Sequence, residues 1–238
     1  MVDKFFLGLD YETDDEAVKK GFAAIDFLRT IFGRDFVEQR VGVKLNQDLL
    51  TGIIDPRHRQ FPENGHDIFA DLKLSHGADT GERIIERIRR SLPVNYITVS
   101  AGLGSTILGE YVRYTNQHGI NVIAFTAHTK IPPEEVSRIY AGEDLDDAIF
   151  NLGQVAYEGG CHAIVLEGER LNDQRIRGLP LRKLVTGIRI DPSDVGTQSR
   201  VTSLDTLSDL KQHVDYVVIS SRYVNNPESL RGYVSTLL

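Results

Sequence analysis

Two lysines and an aspartate give the first chemical signal. Asp71-Leu72-Lys73 lies inside an apolar run, Ile68 to Leu74, and Lys44 sits near the end of another, Val41 to Leu45. Residues i and i+2 of a strand face the same side, so Asp71 and Lys73 can share one surface. Lys44 reaches that surface from a neighbouring strand. Two ammonium groups around one carboxylate, away from bulk water, form an alternating charge chain. Such a chain suits proton delivery to a carbanion and stabilisation of negative charge, with a purely structural ion pair as the alternative use. Gln198 and Arg222 give the second signal. Arg222 follows the apolar run Tyr216 to Ile219, and Gln198 lies on a preceding loop that contains Gly and Asp. A guanidinium offers phosphate a bidentate donor fork, and a surface arginine beside a loop glutamine is the alternative.

The elements that must position these residues repeat along the chain. Eight short apolar runs alternate with amphipathic stretches: Phe5 to Leu9, Val41 to Leu45, Ile68 to Leu74, Tyr96 to Ala101, Val122 to Ala127, Ala163 to Leu166, Leu184 to Ile188 and Tyr216 to Ile219. Most are too short for helices and continuously apolar, as strands covered on both faces are. Helices are expected from Thr13 to Leu28, where Thr-Asp-Asp-Glu makes a capping pattern, and from Thr80 to Ser91. Others start at Pro132-Pro133 and run from about Asp144 to Glu158. Strand and helix repeated eight times predict an α/β fold, a single (β/α)8 TIM barrel domain spanning residues 1–238. An open doubly wound sheet is the runner-up, but Gly102-Leu103-Gly104-Ser105-Thr106-Ile107 lacks the third glycine of a dinucleotide loop. Asp55 to Gly65 reads as a polar, turn-rich loop.

Barrel chemistry sits at the C-terminal strand ends. Those ends present Asp10, Lys44, Asp71 with Lys73, Ser100, Thr126 to Thr129, Glu167, Thr186 with Arg189, and Ser220 to Arg222. The loops after strands seven and eight, which carry Gln198 and Arg222, are the usual phosphate site of such barrels. His128 is a candidate for the mouth, and Glu167 reads as a solvated rim residue.

Composition narrows the function classes. The net charge is −7, which argues against nucleic acid as a main partner while leaving room for a local phosphate site. The one cysteine, Cys161, forbids an intrachain disulfide and reads as a buried thiol. No stretch approaches the roughly 20 apolar residues of a membrane helix, and no secretory leader is evident, so the expected location is cytoplasmic. None of the seven histidines has zinc-ligand spacing.

Taken in order, these residues resemble the orotidine 5′-monophosphate decarboxylase family over nearly the whole chain. Leu7-Gly8-Leu9-Asp10-Tyr11 resembles its first strand, and Val41-Gly42-Val43-Lys44 its second. The run Asp67 to Thr80 (DIFADLKLSHGADT) resembles the signature Asp-x-Lys-x-x-Asp followed by Thr. Val185 to Arg189 and Gly196 to Val201 resemble the phosphate loop, and Val217 to Arg222 the last strand.

The resemblance implies a homodimer acting on a small nucleotide substrate, with no metal and no organic cofactor. Orotidine monophosphate would lose its carboxylate and become UMP. Lys73 would protonate the C6 carbanion, and Asp71 and Lys44 would orient and balance it. Asp10 would hold ribose hydroxyls, Thr129 the pyrimidine, and Gln198 and Arg222 the phosphate. His76 and Thr80 would reach the neighbouring subunit's site. The chain departs from the pattern at five places. His76 replaces the second Asp of the signature, Thr197 an Asp, Ser221 a Gly and Ser100 a His, and the Pro usually found before Gly187 is absent. A histidine cannot supply a fixed negative charge, and beside Lys73 it should stay neutral. The alternative is a family member with altered chemistry, which binds UMP-like nucleotides or acts on a related phosphorylated substrate.

Overall fold

β-Branched and aromatic residues fill the eight apolar runs, and each run forms a strand: β1 (Lys4–Gly8), β2 (Val41–Asn46), β3 (Ile68–Leu74), β4 (Tyr96–Ser100), β5 (Asn121–Phe125), β6 (Ala163–Glu167), β7 (Arg182–Thr186) and β8 (Tyr216–Ile219). The computed structural model describes residues 2–128, 131–140, 142–190 and 200–238. Every strand is parallel to the next, and β8 closes on β1 through the pairs Lys4↔Tyr216 to Leu7↔Ile219. The expected TIM barrel is therefore the observed fold.

The two faces of each strand divide cleanly. Val41, Val43 and Leu45 of β2 pack outward under the helices, while Gly42, Lys44 and Asn46 alternate with them and face inward. On β3 the outward residues are Ala70, Leu72 and Leu74, and Phe69 faces in. The lower interior is filled by Phe6, Phe69, Tyr96, Ile123, Ala163, Leu184, Tyr216 and Val218. Phe6 lies 5.2 Å from Phe69 and 5.3 Å from Tyr96, centroid to centroid. This apolar plug blocks water from below, so the upper interior is a one-ended cleft.

Helices form near their expected positions. Thr13 caps Asp14–Phe32 by accepting from the Glu16 N–H at 3.3 Å, and the helix continues four residues past the expected end. Ala78–Ser91 and Leu145–Glu158 follow, the latter capped by Asp144. Two expectations need correction. Asp55 to Gly65, expected as a polar, turn-rich loop, is built of turns, a 3₁₀ turn, Pro56–Arg59, and a helical turn, Gln60–Glu63, but it is not solvated throughout. Its His58 and Phe61 are fully buried, and His58 Nε2 lies 2.7 Å from Asp14. Burial of those two rings orders a segment whose sequence reads as polar. The seventh strand begins at Arg182 and ends at Thr186, not Ile188, because Gly187 turns the chain at φ 74°. Ile188–Arg189 then pairs with Thr202–Ser203 in a separate two-stranded ribbon.

Gly42 has no room for a side chain. A Cβ there would stand 2.8 Å from the Asp67 carbonyl oxygen and 2.9 Å from the Phe6 ring. Gly42→Ala is expected to destabilise the fold by about 1–3 kcal/mol through overpacking, read as a lower urea midpoint. An unchanged midpoint would show that the Phe6 plug is looser than described.

Candidate active site

The interior residues above the plug are charged. Asp10, at the end of β1, accepts from the Lys44 ammonium at 2.8 Å. Lys44 lies 3.5 Å from Asp71 Oδ2, and Lys73 Nζ donates to that same oxygen at 2.6 Å. The order is acid, base, acid, base, all from one protomer. Asn46, two residues after Lys44, accepts from the same ammonium. Lys44 is buried and Asp71 largely so, with 13% of its side chain exposed, whereas the Lys73 side chain is 42% exposed and faces the opening.

Local backbone geometry makes this possible. Ala70 pairs with Ile97 and Leu74 with Val99, so Asp71, Leu72 and Lys73 stand opposite the single residue Thr98. This bulge bends β3 at the cleft. Lys73 takes φ 47°, the one left-handed non-glycine among the described residues, a conformation that costs roughly 1–2 kcal/mol. Asp71 and Lys73 keep the shared facing expected from their spacing, with a distortion that spacing does not reveal.

Burial pulls the Lys44 ammonium down from the ordinary lysine value, but Asp71 and Asp10 outweigh this and hold it above. Burial pushes the Asp71 carboxyl up. Lys44, Lys73 and the hydrogen bonds from Lys73 and Thr98 reverse that, leaving it below the usual aspartate value. Both groups are therefore charged near neutrality.

The cleft holds about 460 Å³. Phe69, Phe125, Val165, Leu184, Ile188 and Val218 form its apolar wall. Four cationic side chains, Lys44, Lys73, Arg189 and Arg222, face two anionic ones, Asp10 and Asp71. Among the described residues the lining carries more cationic than anionic groups, which suits an anionic ligand with a flat apolar part. His128 lines the cleft as well.

The structure thus brings together Asp10, Lys44, Asp71, Lys73 and Arg222. It does not bring His76 or Thr80 to the same cleft. The His76 side chain is exposed and its carbonyl accepts from Tyr111 at 3.1 Å, while Thr80 accepts from Arg83 at 3.0 Å. Thr129 and Gln198 lie outside the described residues. Sequence reasoning missed Asn46 and Thr98, although the i, i+2 rule applied from Lys44 and from Tyr96 points to both. Among the described residues no group of three or more His, Cys, Asp or Glu could hold a metal ion, and no helix is long and apolar enough to cross a membrane.

Glu167 corrects another expectation. It is not a solvated rim residue but 2% exposed, with Oε1 2.6 Å from Arg200 Nε. That contact lies off the N–H direction, so neither carboxylate oxygen receives a directed hydrogen bond. Arg200 also donates to the Ala127 and His128 carbonyls at 3.2 and 3.0 Å, tying the segment after β5 to the end of β6. Burial raises the Glu167 carboxyl above its ordinary value despite Arg200.

A parallel eight-stranded barrel with a one-ended cleft at its C-terminal mouth belongs to the class of (β/α)8 barrels, whose C-terminal loops frequently carry a phosphate site. The Orotidine 5'-phosphate decarboxylase / HUMPS family profile matches residues 3–227, and the chain belongs to that family. An Orotidine 5'-phosphate decarboxylase of Actinobacillus pleuropneumoniae is 26% identical over 227 residues, covering 92% of this chain and 90% of that protein. A protein of the same name from Fusobacterium nucleatum is 26% identical over 209 residues, covering 83% of this chain and 84% of its own length. Among solved structures, Orotidine 5'-phosphate decarboxylase from Lactobacillus acidophilus superposes with a TM-score of 0.72 at 14% identity, over 99% of both chains. The Methanocaldococcus jannaschii Orotidine 5'-monophosphate decarboxylase complexed with inhibitor BMP gives 0.71 at 18% identity, over 100% of this chain and 99% of that one. At these identities the structural likeness speaks for the fold.

Arg200→Met would leave Glu167 buried without its nearest counter-charge and is expected to cost about 3–5 kcal/mol at neutral pH. A buried acid with a raised pKa binds its proton more tightly folded than unfolded, so the variant should regain stability as pH falls toward the ordinary glutamate value of about 4.3. Urea unfolding across that range measures it. A deficit that does not shrink on acidification would remove the lone carboxylate as its cause.

Proposed function

We propose that this chain decarboxylates orotidine 5′-monophosphate to UMP without metal or organic cofactor. The observation that carries the reading is the alternating run of charges Asp10–Lys44–Asp71–Lys73 at the mouth of a barrel of this family. The phosphate is taken at Arg222, with Gln198 as a second donor, and the base lies against the apolar wall. As the C6–carboxylate bond breaks, CO₂ leaves and the electron pair stays on C6. Lys73 Nζ delivers a proton to that carbon and is recharged from water. Lys44 and Asp71, fixed in advance, need no reorganisation as the charge moves, which is the main advantage of a preorganised site. Binding energy from the remote phosphate goes toward assembling the site around the reacting end. Thr129 contacts the pyrimidine, and Asp10 the ribose. A second copy of the chain completes a homodimer, placing His76 and Thr80 at the neighbouring cleft.

A second reading keeps the binding and changes the chemistry: capture of a UMP-like nucleotide or turnover of a related phosphorylated substrate. His76, where the family signature has its second acid, favours it. In the first reading, Asp10 supplies the second carboxylate of the charge chain from within the same protomer.

The primary test is loss of orotidine monophosphate absorbance with purified protein. Lys73→Ala should lower kcat by about 10²–10⁴-fold, the range of a lost general acid, with UMP binding retained. Wild-type turnover in that variant would remove Lys73 as the proton donor. An inactive parent chain whose His76→Asp variant turns over would establish the second reading. Arg222→Ala should weaken UMP about 10–100-fold, as expected for a lost charge-assisted bond, by calorimetry. Unchanged affinity would place the phosphate elsewhere.

A further inference from the structure

One buried hydroxyl touches both halves of the Asp71–Lys73 pair. Thr98 is 1% exposed and faces inward from β4, between Tyr96 below and Ser100 above. It stands alone against the three residues of the β3 bulge. The bulge takes the Lys73 backbone N–H out of the β3–β4 ladder, and a buried N–H without a partner is costly. Thr98 Oγ1 accepts it at 2.8 Å. The same oxygen lies 2.9 Å from Asp71 Oδ1. The direction of each bond follows from chemistry. A backbone N–H can only donate, so the hydroxyl accepts there, and its single proton is left for the carboxylate.

We propose that Thr98 is a positioning residue for the proton-delivering pair: its hydroxyl holds the Lys73 backbone in its left-handed turn and pins the Asp71 carboxylate with Oδ2 toward both lysines. The inference rests on the decarboxylase reading for its effect on rate, but not for its effect on Asp71. Two constraints are met by one group. With Oδ1 taken by Thr98, Oδ2 is the oxygen that meets Lys73 at 2.6 Å and Lys44 at 3.5 Å. With the Lys73 N–H anchored, a half-exposed lysine on strained backbone keeps one path into the cleft. Valine has the same shape and neither hydrogen bond, whereas serine keeps both.

The groups that face Asp71 are Lys44 from β2, Lys73 from its own strand and Thr98 from β4, with Asp10 beyond Lys44. His128, Arg189 and Arg222 line the same cleft. The experiment compares the full-length chain with its Thr98→Val and Thr98→Ser variants in two readouts. One is kcat and KM for orotidine monophosphate. The other is the carbon-13 titration of the Asp71 carboxylate in ligand-free protein, which needs no turnover. Thr98→Val is expected to lower kcat at least about tenfold, in line with a mispositioned general acid, with KM little changed and Asp71 titrating higher than in the parent. Thr98→Ser is expected to match the parent in both. Should Thr98→Val not fold, Thr98→Ala, with space for a water, carries the same comparison. Parent-like kcat together with an unmoved Asp71 in the folded Val or Ala variant would overturn the proposal, as would a Ser variant as impaired as the Val one. A parent chain inactive on orotidine monophosphate would defeat the decarboxylase reading alone, since the Asp71 titration still decides the role of Thr98.

Discussion

A carboxylate held out of water between two ammonium groups is the constraint around which this barrel is arranged. An isolated buried charge is among the least tolerated features of a fold, and Asp71 is acceptable only because Lys44, Lys73 and Thr98 all reach it. Each partner comes from a different position: β2, the bulge of β3 itself, and β4. Lys44 needs partners of its own, and Asp10 and Asn46 supply them from β1 and β2. The cluster therefore spans four adjacent strands. It exists only when those strands pair in the observed register, so the chemistry of the cleft and the closure of the barrel stand or fall together.

The rest of the interior follows from that arrangement. Below the cluster, the ring of Phe6, Phe69, Tyr96 and Tyr216 excludes water, so the charges above it interact through a medium less polar than bulk solvent. Phe6 fits because Gly42 has no side chain. Across the cleft, Arg189 and Arg222 bring two more cationic side chains to the lining. The Glu167–Arg200 pair follows a different physical logic. It is buried and close with no directed hydrogen bond between its two members, and Arg200 ties the ends of β5 and β6 together through the Ala127 and His128 carbonyls.

Family membership is the ground on which the proposed decarboxylation stands, and His76 sharpens the question within it. The signature's second acid is absent, and within one chain the alternating charges run Asp10–Lys44–Asp71–Lys73, with Asp10 at the Lys44 end. A barrel that only bound nucleotides would gain little from two lysines crowded around one carboxylate.

The sequence by itself determined the periodic alternation of strand and helix, the shared facing of Asp71 and Lys73, and the identity of Lys44, Asp71, Lys73 and Arg222 as chemical candidates. Those are local properties: two-residue spacing, helix caps and the order of motifs. Three things were decided only by the tertiary structure. The β3 bulge and the left-handed Lys73 arise from register between strands, which no single-strand pattern encodes. The burial of Glu167 depends on Arg200, thirty-three residues away in the chain, and an unpaired Glu at a strand end looks solvated until that partner is seen. The ordering of Asp55 to Gly65 comes from His58 and Phe61 packing under the Asp14–Phe32 helix, so its polar composition misleads. In each case the deciding energy belongs to a contact between distant residues, and the local sequence holds only one side of it.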